Sequence, residues 1–159
     1  MNASTSLSVR RASRQDAELV RTMVRELADH QDQGEHVTIT VERWRELLGD
    51  DAVIVLVAEQ KGQAVGYVSA FRRPHLWSGE DILALDDLYV RSDFRDAGVG
   101  RELMLELARH AQPERLTISW GMQPENVHGQ RFYARLGAAL RPKVVAAWNA
   151  TAYTQALSA

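Results

Sequence analysis

The 159-residue chain contains no cysteine, and this absence excludes disulfides, thiolate metal sites and a cysteine nucleophile. No apolar run approaches the roughly 20 residues that span a bilayer, and Met1–Ser8 lacks the apolar centre of a signal peptide. A formal net charge of -2 gives no general reason to expect a nucleic acid or an acidic membrane as partner. We therefore expect a cytoplasmic protein that binds neither nucleic acid nor membrane.

What the chain does contain is typical of a globular protein, with 45% apolar and 25% charged residues. Its length suits one hydrophobic core, so we predict a single domain over 1–159. Periodicity and turn signals predict alternating strands and helices, the helices being introduced by the caps Ser13 and Thr40. The predicted strands cover 7–12, 53–59, 64–71, 82–90, 116–120 and 143–148, and the predicted helices cover 14–30, 40–48, 99–111 and 126–136. This order indicates an α/β (α+β) fold with one mixed sheet flanked by helices.

The turn before the predicted helix 99–111 has the sequence Arg95-Asp96-Ala97-Gly98-Val99-Gly100. The first N–H groups of a helix have no partner inside it, and the helix dipole adds about half a positive charge there. Glycines let the backbone approach an anion closely, and Arg101 adds charge nearby. The turn therefore predicts a pyrophosphate site, with an ordinary turn and helix cap as the alternative.

Two common phosphate motifs fit this turn poorly. A P-loop needs Lys-Ser or Lys-Thr after its second glycine, where this chain has Arg101-Glu102. A dinucleotide fingerprint needs G-x-G-x-x-G and an acidic residue after the next strand, where this chain has Trp120. Nucleotide hydrolysis and hydride transfer are therefore excluded.

The R-x-x-G-x-G turn after the strand Leu88-Tyr89-Val90 resembles motif A of the GCN5-related N-acetyltransferase (GNAT) superfamily. Residues 126–137, N-V-H-G-Q-R-F-Y-A-R-L-G, resemble the N-x-x-A-x-x-F-Y-x-x-x-G helix of that family, with Gly129 where alanine is usual. The two motifs stand in the family's order and spacing. The resemblance implies a mixed sheet with splayed central strands, helices on both faces, and acetyl-CoA as cosubstrate.

The resemblance also implies where the cosubstrate lies. The backbone of the strand would pair with the pantetheine arm, and the turn would hold the pyrophosphate. Asn126 would bond the pantetheine chain, although capping its own helix is an alternative role. The implied cosubstrate-binding residues are Leu88, Tyr89, Val90, Arg95, Asp96, Ala97, Gly98, Val99, Gly100, Arg101, Asn126 and Gly129.

The reaction that the resemblance implies needs a base and an acid. An alkyl ammonium has a pKa of about 10.4, so most of it must lose a proton before it attacks a thioester. Asp86 and Asp87 are the candidates to attract the cation and accept that proton. Neighbouring strand residues point to opposite faces, so both reach one pocket only at a β-bulge; otherwise one of them is exposed or caps a loop. Tyr133 is implied as the general acid that protonates the CoA thiolate, with a core aromatic role, as for Phe132, as the alternative.

The first half of the chain looks like the diamine (polyamine) acetyltransferase branch, and this implies a homodimer. That branch has an aromatic–acidic pair at the end of its first long helix, where this chain has His30-Gln31. A substrate with one amine, or with an amine beside a carboxylate or hydroxyl, therefore fits this chain at least as well as a polyamine does. Trp77 and Trp120, with His75, are further candidates for the walls of the acceptor site, packing being the alternative.

Three functions stay open at this point. The first is N-acetylation of a small-molecule amine; the others are acetylation of a protein N-terminus or lysine, and acyl-CoA binding without catalysis. The histidines show no ligand spacing with carboxylates, so we predict no metal.

Overall fold

The computed structural model describes residues 6–158 and divides the chain into two compact units, Met1–Trp120 and Gly121–Ala159. The prediction that Met1–Ser8 is not a signal peptide falls partly on residues 1–5, which lie outside the described residues. None of the helices within 6–158 is long and apolar enough to cross a membrane. The extent of the domain, 1–159, stays a prediction.

The first unit contains a five-stranded sheet in which the strands lie in chain order. The strands β1 to β4 are successively antiparallel, and β5 is parallel to β4, so the sheet is mixed as predicted. Their bounds are β1 Ser8–Arg11, β2 Val53–Gln60, β3 Gln63–Pro74, β4 Asp81–Val90 and β5 Thr117–Ser119.

Among the described residues 6–158, three α-helices belong to the first unit and two to the second. They are α1 Ala17–His30, α2 Val41–Leu48 and α3 Val99–Ala111, then α4 Val127–Arg135 and α5 Ala150–Leu157. Both predicted caps are confirmed. The Ser13 amide donates to Asp16 Oδ2 at 2.7 Å, and Thr40 Oγ1 accepts from the Arg43 amide at 3.1 Å.

Both faces of the sheet are covered in the first unit. Residues 53–58 form a continuous apolar run, which is typical of a strand with both faces buried. On one face Val55, Val57 and Tyr67 pack in a cluster with Val20 and Met23 of α1. On the other face α3 contacts the central strands. The α/β fold with helices on both faces is therefore confirmed.

Gly66 on β3 leaves no room for a side chain against the backbone of β4. A Cβ there would lie 2.5 Å from the Tyr89 carbonyl oxygen and 3.2 Å from Val90 Cα. Because these are backbone atoms of a paired strand, we expect Gly66→Ala to lower the free energy of unfolding by about 1–3 kcal/mol. Chemical denaturation measures this. Gly121→Ala, where a Cβ would meet no atom within 4 Å, is the control, and equal losses in both variants would contradict the close approach.

The predicted strand at 143–148 is wrong. These residues form no regular structure, and the unpredicted helix α5 follows them. A strand needs a neighbour for its N–H and C=O groups, and the structure pairs this segment with none among residues 6–158. The side chains of Val144 and Val145 are 92% and 84% exposed. The Asn149 side chain accepts from the Ala152 amide at 2.9 Å, so a local cap starts a helix directly after it.

Candidate active site

A β-bulge interrupts the pairing of β3 and β4 in the middle of the sheet. Ser69 is paired with Asp87 and Ala70 with Leu85, so Asp86 is the extra residue on β4. A bulge disturbs the alternation of side chains along a strand. This is the geometry that the two neighbouring carboxylates require in order to reach one pocket.

Asp86 and Asp87 both line a pocket of about 360 Å³ between the sheet and the first two helices. This volume lies within the range of small-molecule sites. Apart from Ser69 and the two carboxylates, the lining side chains are apolar. They are Val24 of α1, Trp44 and Leu47 of α2, Val53 and Val55 of β2, and Ala70 and Phe71 of β3.

Asp87 is half-buried and is held on two sides by β3. Its Oδ2 accepts a hydrogen bond from the Tyr67 hydroxyl at 3.1 Å, and its amide donates to Ser69 Oγ at 3.2 Å. Burial raises the pKa of Asp87, the Tyr67 hydrogen bond lowers it, and the charge of Asp86 raises it, with a net increase. Asp87 is therefore a fixed carboxylate with increased proton affinity.

Asp86 lies beside it and is the more exposed of the two. Burial of part of its carboxylate raises the pKa of Asp86 as well. Two adjacent carboxylates at one end of an apolar pocket can attract an ammonium group and accept its proton.

The strand edge beyond this pocket is open on one side. Strand β5 pairs with β4 only at residues 82–84, and no strand within 6–158 continues the pairing along 85–90. A β4–β5 pairing that ends at residue 84 is compatible with the splayed central strands that the resemblance implies, and the splay stays a prediction. The backbone of Leu88, Tyr89 and Val90 therefore follows the carboxylates along an edge without a strand partner.

The turn after β4 ends in a helix start that no side chain caps. Gly98 has a φ of 83°, in the left-handed region that favours glycine, and Asp96 has a φ of 60°. The first bond inside α3 joins the Glu102 amide to the Gly98 carbonyl at 3.0 Å, so the amides of 99–101 have no helical acceptor. A Cβ on Gly98 would meet no atom within 4 Å. The turn is an open cradle that fits an anion.

Hydrogen bonds to Glu26 hold the end of β4, where this turn begins, against α1. Arg91 donates to both carboxylate oxygens of Glu26, at 2.9 and 2.8 Å, and to the Ala64 carbonyl at 2.7 Å. The Tyr89 hydroxyl donates to Glu26 at 3.1 Å, and Arg95 Nε donates to the Val90 carbonyl at 3.0 Å. Hydrogen bonding to Arg91 lowers the pKa of Glu26. These bonds fix the end of β4 where the turn begins.

In the second unit, Asn126 caps α4. Its Oδ1 accepts from the Gly129 amide at 2.9 Å, and a Cβ on Gly129 would lie 2.5 Å from Asn126 Nδ2. Glycine at this position therefore leaves room for the capping side chain. The capping role of Asn126 is confirmed, and its bond to pantetheine stays a prediction.

Tyr133 is buried on α4, 9% exposed, beside the ring of Phe132 at a centroid distance of 5.1 Å. Burial raises the pKa of the Tyr133 phenol, which keeps its proton in place at neutral pH. Both alternatives from the sequence, packing and proton donation, are compatible with this position.

The remaining predicted acceptor residues lie outside the pocket lining. His30 and Gln31 are exposed at the end of α1, and Trp77 is 97% exposed in the turn between β3 and β4, its ring edge-on to His75. Trp120 follows β5 and is half-buried. Their roles stay predictions. Within 6–158 there is no group of three or more histidine and carboxylate side chains that could hold a metal.

Tyr67, Ser69 and the apolar walls supplied by α2 were not among the site residues predicted from the sequence. The alternation of Tyr67, Ser69 and Phe71 along β3 was a signal that these side chains share one face. It could not link them to Asp87, because the register between β3 and β4 depends on the bulge.

The sequence model of the acetyltransferase (GNAT) family matches residues 21–138, well over half of the chain. The matched range includes the bulge, the turn before α3 and helix α4. The chain therefore belongs to the acetyltransferase (GNAT) family and is an N-acetyltransferase.

Solved structures show the same fold. An aminoglycoside acetyltransferase from an uncultured soil metagenomic sample matches with a TM-score of 0.76 and 21% identity, over 89% of this chain and 95% of that one. The aminoglycoside N-acetyltransferase AAC(6')-Iy in complex with CoA has a TM-score of 0.77 and 19% identity, over 94% and 99%. The ribosomal-protein-alanine N-acetyltransferase from Brucella melitensis biovar Abortus 2308 has a TM-score of 0.73 and 20% identity, over 89% of this chain and 98% of that one.

Proposed function

We propose that the protein transfers the acetyl group of acetyl-CoA to the primary amine of a small molecule by direct attack. The observation that carries this proposal is the bulge that gives Asp86 and Asp87 one pocket, on the same strand that leads into the open turn. About 10 Å of extended strand separates Asp87 from Val90, where the turn begins. Amine and donor would meet along this edge.

Acetyl-CoA supplies the acetyl group as a thioester. The open turn at Gly98, the free amides of 99–101 and the guanidinium groups of Arg95 and Arg101 suit its pyrophosphate. The unpaired edge of Leu88, Tyr89 and Val90 suits the amides of its pantetheine arm. The similar AAC(6')-Iy fold was solved in complex with CoA, and this supports the same donor here.

The two carboxylates bind the acceptor amine and take its proton. An ammonium group is attracted by Asp86 and Asp87, and Asp87 accepts the proton that the amine must lose before it attacks the thioester carbon. The amine nitrogen bonds to that carbon, the carbon–sulfur bond breaks, and Tyr133, in the role that the family resemblance implies, donates its phenolic proton to the departing sulfur. The nitrogen loses a second proton as the amide forms, and this proton restores the phenol by way of solvent. The first proton leaves from Asp87 to solvent.

The acid role of Tyr133 predicts a specific kinetic change. We expect Tyr133→Phe to lower kcat by about 10²-fold, because a general acid typically contributes at least that factor. The dissociation constant of acetyl-CoA should stay the same, because the hydroxyl acts on the leaving group. Steady-state thiol release and calorimetric titration measure the two quantities.

Tyr153→Phe in α5 is the matched control for this prediction and should leave kcat unchanged. An unchanged kcat in Tyr133→Phe would remove the acid role. It would leave Tyr133 as a packing residue beside Phe132.

The resemblance to the diamine branch extends the proposal to a homodimer in the cytoplasm. Sedimentation velocity of the purified chain tests the dimer, and a monomer at micromolar concentration would contradict it. The similar proteins named above act on aminoglycosides and on a ribosomal protein. The acceptor of this chain must therefore be deduced from its own pocket.

A further inference from the structure

We infer that the acceptor is a compact monoamine with an apolar body, rather than a polyamine or an amino sugar. This inference rests on the proposed function and specifies its substrate class. It follows from where the pocket is charged, where it is apolar, and how much it can hold.

The negative charge of the pocket is confined to one end. Asp86 and Asp87 are adjacent on β4, and no other lining residue is ionisable. The α1 carboxylate closest in sequence to Val24 is Glu26, and both of its oxygens are bound by Arg91. One ammonium group therefore has a carboxylate partner in this pocket, whereas a second one, farther along the molecule, would meet no carboxylate and at most the face of an aromatic ring.

The opposite walls cannot accept hydrogen bonds from a polar substrate. They are formed by Val24, Trp44, Leu47, Val53 and Val55. The Trp44 indole N–H is buried and has no hydrogen-bond partner within 6–158, and as a donor it cannot accept a bond from an ammonium. A second ammonium would find no acceptor on these walls, and only one hydroxyl of a sugar ring could accept a bond from the indole, so its other hydroxyls would lose water without replacement bonds.

The same walls favour an apolar group. Removing alkyl or aromatic surface from water against these side chains is favourable in proportion to the area buried. Phe71 is 43% exposed although it lines the pocket, so an apolar substrate would also cover this ring. An aromatic substrate could stack on or meet the edge of Trp44 and Phe71.

The volume limits how much of a substrate the pocket can enclose. A pocket of about 360 Å³ lies at the lower end of the range for small-molecule sites. An amine with a short alkyl chain or a single ring fits within it. An aminoglycoside of several rings would leave most of its surface outside.

Butylamine and putrescine provide the sharpest test, because they share a four-carbon chain and differ only by the second amine. Thiol release from acetyl-CoA gives kcat/KM for each, with phenethylamine and glucosamine as the aromatic and polar probes. We expect kcat/KM to be at least about tenfold higher for butylamine than for putrescine, and phenethylamine to exceed glucosamine likewise.

A charge-switch variant strengthens the test. Leu47→Glu places a carboxylate on the α2 wall and should shift the preference toward putrescine, whereas Leu47→Gln, which has the same shape without the charge, should not. Thermal denaturation checks that both variants fold. If Leu47→Glu does not fold, the ratio of kcat/KM for butylamine to that for putrescine, measured with the unmodified chain, decides whether the inference holds.

The outcomes separate the inference from the function that it specifies. Turnover of putrescine or glucosamine equal to or faster than that of its apolar counterpart would overturn the inference and leave acetyl transfer intact. No acetylation of any of the four amines, with CoA still bound, would overturn both.

Discussion

Replacing Asp87 by asparagine is expected to lower kcat/KM for the amine by about 10²-fold or more. An amide cannot accept the proton that the ammonium must lose, and a positioned base typically contributes 10²- to 10⁴-fold. The fold should persist, because the asparagine oxygen can still accept the hydrogen bond from Tyr67. Asp86→Asn removes the more exposed charge and should cost less. Thiol-release kinetics with saturating acetyl-CoA measure both effects.

The pH dependence of the activity tests whether Asp87 is the group that accepts the proton. Burial raises the pKa of Asp87, so its carboxylate is lost, and activity falls, at a higher pH than for an ordinary aspartate of about 3.9. Tyr67→Phe removes the hydrogen bond that opposes this shift, and should move the acidic limb of the profile to still higher pH. Deprotonation of the free amine affects both proteins equally, so the difference between them reports on Asp87.

The raised pKa of Asp87 affects the stability of the fold in the opposite direction to the activity. A carboxyl group whose pKa is raised in the folded state binds protons more readily there, so it destabilises the fold as pH rises through the raised pKa. Asp87→Asn should therefore be no less stable than the unmodified chain at neutral pH. Asp51→Asn, at an exposed carboxylate, is the control and should change neither rate nor stability. Loss of rate in Asp51→Asn, or none in Asp87→Asn, would contradict the assignment.

Gly98→Ala is expected to weaken CoA binding by about ten- to hundredfold. The alanine Cβ would occupy part of the open space in the turn that we propose for the pyrophosphate, and displacing one bond to a charged group costs about 1.5–3 kcal/mol. A left-handed φ of 83° also strains any side chain by about 1–2 kcal/mol. Calorimetric titration with CoA separates the binding loss from this strain.

Gly62→Ala supplies a matched comparison. Gly62 has a φ of 75° and, like Gly98, open space around its Cβ position, but it lies in the turn between β2 and β3. Both variants should lose similar stability in chemical denaturation. Only Gly98→Ala should lose affinity for CoA. Equal affinity in the two variants would mean that the turn before α3 is an ordinary helix start.

The local parts of this protein could be predicted from its sequence. The turn at Gly98 and the caps Ser13 and Thr40 depend on neighbouring residues, so short motifs contain most of the information. Strand β2 is equally local, because its continuous apolar run at 53–58 is followed closely by the turn at Gly62. The predicted strand at 143–148 failed for the complementary reason, since a strand also needs a neighbour that a short apolar run does not specify.

The acceptor pocket could be predicted only in part. Asp86 and Asp87 were recognisable as a carboxylate pair, and the need for a bulge followed from strand geometry. Their partners Tyr67 and Ser69 depend on the register of β3 against β4, and the α2 wall with Trp44 depends on helix packing. These are long-range relations, and neither periodicity nor spacing within one segment determines them.

Transfer of labelled acetyl from CoA to an amine is the most direct test of the central claim. The full chain would be incubated with acetyl-CoA labelled in the acetyl group and with butylamine or phenethylamine, and the products followed by mass spectrometry and thiol release. We predict label in the amide product, one for each thiol released, and a rate reduced by Asp87→Asn. CoA binding without label on any amine, including putrescine and glucosamine, would contradict the account.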